Sequence, residues 1–114
     1  MINAKIILCL CDGGYDIGFG HASRTLSLAE AFAENGWHPQ FAGRLRDGSD
    51  KMIQAAGFKT SIRSMITGTE NPEDTVSICH GLSAAAQVID SYSLRPGYLR
   101  KIGCAAPILL IDDF

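Results

Sequence analysis

The 114-residue sequence predicts an α/β fold: a Rossmann-like parallel sheet of about five strands, in the order 3-2-1-4-5, with helices on both faces. Three observations predict it. Strand-like and helix-like segments alternate along the chain. The first apolar segment, Lys5 to Cys11, is a near-continuous run, as expected for a strand covered on both sides. Helix punctuation falls between the segments: Gly36 and Gly57 as stops, Pro72 as a start.

The elements follow in order. Asp12-Gly13-Gly14 ends the first strand. His21 to Asn35 has helical spacing, with Ala22, Leu26, Ala29 and Ala33 on one stripe, widened by Leu28 and Phe32. Ser27, Glu30 and Glu34 take the opposite side. Trp37 to Ala42 reads as a second strand, and Pro39 moves it towards an edge. Gly48 to Ala56 is a short helix, and Phe58 to Arg63 alternates weakly as a third strand. Ser64 to Asn71 is a polar loop. Pro72 then opens a helix to about Leu82, with Glu73 and Asp74 favourable in its first turn. Ala85 to Asp90 is a fourth strand, Leu94 to Ile102 a helix, and Ile108 to Ile111 a fifth strand. No repeat, low-complexity tract or linker interrupts the series.

Composition narrows the function classes. Net charge is −2, so no basic field suits a nucleic-acid backbone, and nucleic acid is not expected as a partner. Charged residues make up 19% and hydrophobic ones 46%, which argues against disorder. The apolar run Ile6 to Cys11 is too short to span a bilayer, and no small-residue cleavage site follows it. No membrane partner is therefore expected. Four cysteines, Cys9, Cys11, Cys79 and Cys104, include no C-x-x-C pair. Reduced thiols in a cytoplasmic protein are expected, with no zinc site and no cofactor. Cys9 and Cys11 share one face of a buried strand, where Cys packs as a small hydrophobe.

In an open, doubly wound sheet, ligands bind beyond the carboxyl ends of the strands, where the strand order reverses. Here that point lies between the first and fourth strands. Polar groups collect there: Asp12 to His21 after the first strand, Asp90-Ser91-Tyr92 after the fourth, Asp112-Asp113 after the fifth. Each alone reads as an ordinary turn or cap residue; three clusters on one rim read as a candidate site. Gly18-Phe19-Gly20 is a poor dinucleotide fingerprint, because Ser23 stands at the third glycine position and the turn is too long. His21, at a helix start, is expected to be a neutral imidazole able to accept a proton. Its competing reading is a capping or packing residue. Arg24, one turn on, reaches either a ligand phosphate or carboxylate, or a neighbouring carboxylate such as Asp12 or Asp16.

The stretch Gly18-Phe19-Gly20-His21-Ala22-Ser23-Arg24-Thr25-Leu26-Ser27-Leu28-Ala29, after an apolar strand and a D-G-G loop, resembles the UDP-sugar hydrolases of pseudaminic-acid biosynthesis and related spore-coat polysaccharide proteins. Val88 to Leu94 and Ile108 to Phe114 agree with that pattern. The resemblance implies the N-terminal half of a GT-B-like enzyme, the C-terminal nucleotide-binding half lying outside residues 1–114. It further implies metal-independent release of UDP from a diacetamido-trideoxy sugar, with weak activity in isolation. Through the G-x-G-H match, His21 becomes the catalytic residue. Family Asp, Tyr and paired-Asp positions map onto Asp90, Tyr92, Asp112 and Asp113; with Asp12, Gly18, Gly20 and Arg24 of the rim, Asp90, Tyr92 and Asp113 form the expected substrate-binding set. The sequence departs from the family pattern at Cys11, where an Arg often stands.

The expected partners are a UDP-sugar or sugar ligand, a chain supplying the C-terminal half, and a second copy of this chain. A dimer would cover Tyr15, Phe19, Tyr92 and residues 111–114 on the exposed rim. Two other readings compete. One is a non-enzymatic sugar-binding or interaction domain on the same fold. The other is an unrelated flavodoxin-like α/β module.

Overall fold

A computed structural model of the chain describes residues 5–16, 18–60, 72–90 and 96–111. The predicted loop Ser64 to Asn71, and Tyr92, Asp112 and Asp113 of the predicted rim, lie outside the described residues. Among the described residues the elements are, in order, β1 (Lys5–Cys11), α1 (Gly20–Glu34), β2 (Trp37–Ala42), α2 (Ser49–Ala55), β3 (Lys59–Thr60), α3 (Pro72–Leu82), β4 (Ala86–Asp90), α4 (Pro96–Gly103) and β5 (Ile108–Leu110). The five strands form one sheet in the order β3-β2-β1-β4-β5, and every pairing is parallel. The predicted α/β fold and strand order are therefore those of the molecule.

β1 is the centre of the sheet because it pairs on both sides, Lys5 with Trp37 in β2 and Cys11 with Asp90 in β4. A strand so placed has no face in water, which is why its sequence lacks a polar alternation. Its side chains divide by parity. Ile7, Cys9 and Cys11 enter a core with Ala22, Ala29, Phe41, Leu45, Ile53 and Val88, under α1 and α2. Leu8 and Leu10 enter a second core with Cys79, Ile89, Tyr98 and Ile102, under α3 and α4. Both cores are apolar layers between sheet and helices, and burying each large side chain in them contributes about 1.5–3 kcal/mol.

Two local expectations change. Pro39 predicts an edge position for β2, yet β2 lies inside the sheet. The edge on this side is β3, described at Lys59 and Thr60, which pair with Gln40 and Phe41, so the described ladder begins one residue past Pro39; Ser61 to Arg63 of the predicted third strand lie outside the described residues. In α1 the predicted stripe ran to Ala33, but Ala33 is exposed. The buried positions are His21, Ala22, Thr25 and Ala29, continuing to half-buried Phe32. Two of these are polar. The helix turns its first two turns towards β4, and the polar pair meets a carboxylate there.

β2 leaves the sheet at Gly43, which has φ 137°, a region only glycine adopts without strain. A Cβ at this position would lie 1.8 Å from the Cys11 carbonyl oxygen. That close passage brings the loop after β2 beside the loop after β1, and so shapes the rim described next.

Candidate functional site at the carboxyl end of the sheet

Asp90 is the last residue of β4 and pairs in register with Cys11, the last residue of β1. It therefore sits where the strand order reverses. Strand parity aims its side chain to the α1 face, as for Val88. There its carboxylate is fully buried and both oxygens are engaged. Oδ1 accepts from His21 Nδ1 at 2.6 Å and from Arg24 Nη2 at 2.7 Å. Oδ2 accepts from Arg24 Nε at 2.8 Å and from Thr25 Oγ1 at 3.2 Å. The donors His21, Arg24 and Thr25 stand at i, i+3 and i+4 on α1, the spacing that puts side chains on one helix face.

The electrostatics follow from this geometry. Burial pushes the Asp90 carboxyl up. The hydrogen bonds and charges of Arg24 and His21 outweigh burial and hold it below the usual carboxylate range. Arg24 grips the carboxylate with two nitrogens, the geometry suited to a guanidinium. An ionised Asp90 only accepts, so Nδ1 of His21 carries the proton of this hydrogen bond. His21 is itself buried at 6% exposure, so its ring is held by packing as well as by Asp90.

Asp12, the residue after β1, is also buried and performs a different task. Its Oδ1 accepts from the Arg44 backbone N–H at 3.1 Å, and the Arg44 guanidinium lies 3.6 Å from Oδ2. Backbone hydrogen bonds run alongside, Gly13 N–H to Arg44 O and Arg46 N–H to Gly13 O, both at 2.9 Å. Gly13 admits no side chain here, because a Cβ would come within 2.7 Å of Ser49 Cβ. The loops after β1 and β2 are thus joined into one rim, with Asp12 as an internal brace.

Beyond Gly13 the chain makes a small closed loop. Gly14 and Gly18 exchange backbone hydrogen bonds at 3.2 and 2.6 Å. Gly18 takes φ 91°, which a side chain would strain, and a Cβ there would meet nothing within 4 Å. Gly20, the first residue of α1, has open space as well and no unusual backbone. No side chain caps α1: the N-cap residue is Phe19. The first-turn N–H groups of a helix have no partner inside the helix, and their dipoles favour an anion.

The structure thus brings His21, Arg24 and Asp90 into one cluster, sets Gly18 and Gly20 beside it, and places Asp12 in the adjoining brace. Tyr92 and Asp113 lie outside the described residues. Arg24 pairs with Asp90, in place of Asp12 or Asp16, which the sequence alone offers as partners. Thr25 and Arg44 were missed. Thr25 had a signal, a polar residue at i+4 from His21 on the helix's inward side. Arg44 had none, since its meeting with Asp12 depends on the passage of Gly43. Cys11 is buried beside this cluster. Burial foremost, then the charges of Cys9, Asp12 and Asp90, pushes its thiol well above the ordinary value, against a hydrogen bond from Thr25. It is a packed thiol and not a nucleophile. All four cysteines are free, and burial pushes the Cys9 thiol up to about 12. Among the described residues no group of three or more His, Cys, Asp or Glu gathers to hold a metal ion, and no helix is long and apolar enough to cross a membrane.

No family model and no curated protein matches this chain. The fold is similar to that of a solved structure, the universal stress protein from Archaeoglobus fulgidus in complex with dAMP. The TM-score is 0.55 at 20% identity, over 98% of this chain and 100% of that one. At that identity the likeness is one of fold. These findings overturn the expected membership of the pseudaminic-acid UDP-sugar hydrolases, and with it the GT-B half-enzyme, the hydrolase activity and the diacetamido-trideoxy sugar. The G-x-G-H-x-x-R spacing misled for a physical reason. His21, Arg24 and Thr25 share a helix face to hold Asp90, a structural demand that the spacing reports whatever the ligand. The fold agrees better with the reading of a small α/β module of the flavodoxin-like kind.

Proposed function

We propose that this chain is a nucleotide-binding module that takes a nucleoside phosphate at the carboxyl end of β1 and β4. The observation that carries the reading is the rim at the strand-order reversal: open backbone at Gly18 and Gly20 leads into an α1 start anchored by the buried Asp90–Arg24–His21 cluster. The fold-sharing universal stress protein was solved with dAMP, which supports a nucleotide as ligand. In this reading the phosphate lies against the first-turn N–H groups of α1, close to Gly18 and Gly20. Asp90 does not touch the ligand. It fixes where α1 begins, and Arg24 offsets its charge so that an anion is not repelled. His21, the second residue of α1 and held through Nδ1, is assigned as a ligand contact. Asp12 keeps the two loops together. Four unpaired thiols accord with a reducing, cytoplasmic setting.

The test is equilibrium binding. Calorimetric titration of the purified chain with AMP, UMP and inorganic phosphate should give saturable one-to-one binding of the nucleotides. No heat from either nucleotide up to about 5 mM, where even affinities of about −4 kcal/mol register, would remove this reading.

A further inference from the structure

We propose that Tyr15 and Phe19 form an aromatic platform on which the ligand's base stacks, so that the site accepts nucleoside phosphates with little regard to which base they carry. The proposal rests on the nucleotide reading above and extends it to specificity. Tyr15 is 83% exposed and Phe19 37% exposed, both on the β1–α1 loop at the carboxyl rim. Their rings meet edge to face, with centroids 5.9 Å apart and planes at 81°. Phe19 is also the N-cap residue of α1, so the pair adjoins the phosphate position at Gly20.

The loop that presents these rings is held more firmly than its burial requires. The Gly14–Gly18 backbone pair closes it. The Tyr15 N–H donates to Asp47 Oδ2 at 2.8 Å, and Asp47 itself takes φ 55°, an uncommon conformation for a residue with a side chain. Asp16 lies 4.0 Å from Arg46 of the second loop. These restraints fix the backbone of a ring that buries almost nothing. In an edge-to-face pair one ring braces the other and leaves a ring face open to solvent, a flat apolar surface on a backbone already held, which lowers the ordering cost of binding. Stacking tolerates any base because every base has a π-face.

The experiment compares AMP, UMP and ribose 5-phosphate on wild type and on Tyr15→Ala, Phe19→Ala and Tyr15→Phe. Wild type should bind AMP and UMP within about tenfold of each other. Each alanine variant should weaken both nucleotides by roughly 5- to 100-fold, the range of a lost base–aromatic stack. Ribose 5-phosphate, which has no base, should change less than about twofold, and Tyr15→Phe should retain wild-type affinity, because the ring and not the hydroxyl stacks. Both residues are exposed, so thermal melts of the variants should match wild type. Nucleotide affinity unchanged in both alanine variants, or equal losses for AMP and ribose 5-phosphate, overturns the platform while leaving the nucleotide reading standing. A wild type that binds none of the three compounds overturns both.

Discussion

The two faces of the sheet handle buried polarity in different ways. Under α1 and α2 buried carboxylates sit at the carboxyl end of the strands, Asp90 with Arg24 and His21 and Asp12 with Arg44, alongside neutral Thr25 and Ser49. Under α3 and α4 the described buried polar groups are neutral. Gln87 Nε2 donates to the carbonyls of Ile102 and Ala106 at 2.8 and 3.0 Å, while its Oε1 has no partner among the described residues. Thr75 and Tyr98 share a hydrogen bond between α3 and α4. Gln87 is three residues before Asp90 and on the other side of the same strand. Neutral groups placed in mid-strand join helices to the sheet. Charged groups placed at the strand end lie at the rim proposed above to take a nucleotide.

The largest expected effect breaks the charged side. Asp90→Ala strips the shared acceptor from His21, Arg24 and Thr25 and should lower unfolding free energy by about 3–5 kcal/mol, as when one partner of a buried ion cluster is removed. Chemical denaturation measures this. A loss below about 1 kcal/mol would mean that the cluster stabilises no more than a surface pair does.

Gln87→Leu tests the neutral side and should cost less, about 1–3 kcal/mol, because two carbonyls lose their donor but the orphaned Oε1 is also removed. If it proved as damaging as Asp90→Ala, the contrast between the faces would be false.

Acid should separate the two sides without much change in sequence. The Asp90 carboxyl is held below its ordinary value in the folded chain. Its stabilisation is therefore complete above the unfolded value, about 3.9, and is lost as pH falls through the lower folded value. The difference in melting temperature between wild type and Asp90→Asn should be widest near neutrality and shrink as pH is lowered past that range. Gln87→Leu should keep a constant difference from wild type, since no proton is involved.

The smallest change in stability is expected at the helix start. Gly20→Asp places a carboxylate in open space in the first turn of α1, where the dipole favours it by about 0.3–1 kcal/mol. The melt should be unchanged or slightly higher. Binding of AMP and of inorganic phosphate should fall by at least about tenfold, because like charge now occupies the anion position. A variant that melts higher and still binds AMP normally would move the phosphate away from α1.

Much of the fold was legible in the residues because local physics writes it there. An unbroken apolar run at Lys5–Cys11 is what a doubly covered central strand requires. Gly36 and Pro72 mark helix ends by backbone constraints that act within a few residues. Strand parity and a rule of chain handedness then order the sheet. The site was legible only as a rim: that Asp12, Gly18, Gly20, His21, Arg24 and Asp90 would gather at one end of the sheet follows from topology. Which of them meet could not be read, because each meeting joins positions far apart in the chain. Arg24 had three carboxylates within plausible reach, and only the parity of β4 and the rotation of α1 selected Asp90, 66 residues away. Asp12 became a brace because Gly43 lets β2 pass against Cys11, bringing Arg44 within hydrogen-bond distance. Ligand identity lay further still from the sequence. A motif such as G-x-G-H-x-x-R records which side chains share a helix face, and the same face can anchor a helix beside many different ligands. Periodicity and backbone chemistry are local and survive in one dimension; partner choice and recognition depend on distances that exist only once the chain has folded.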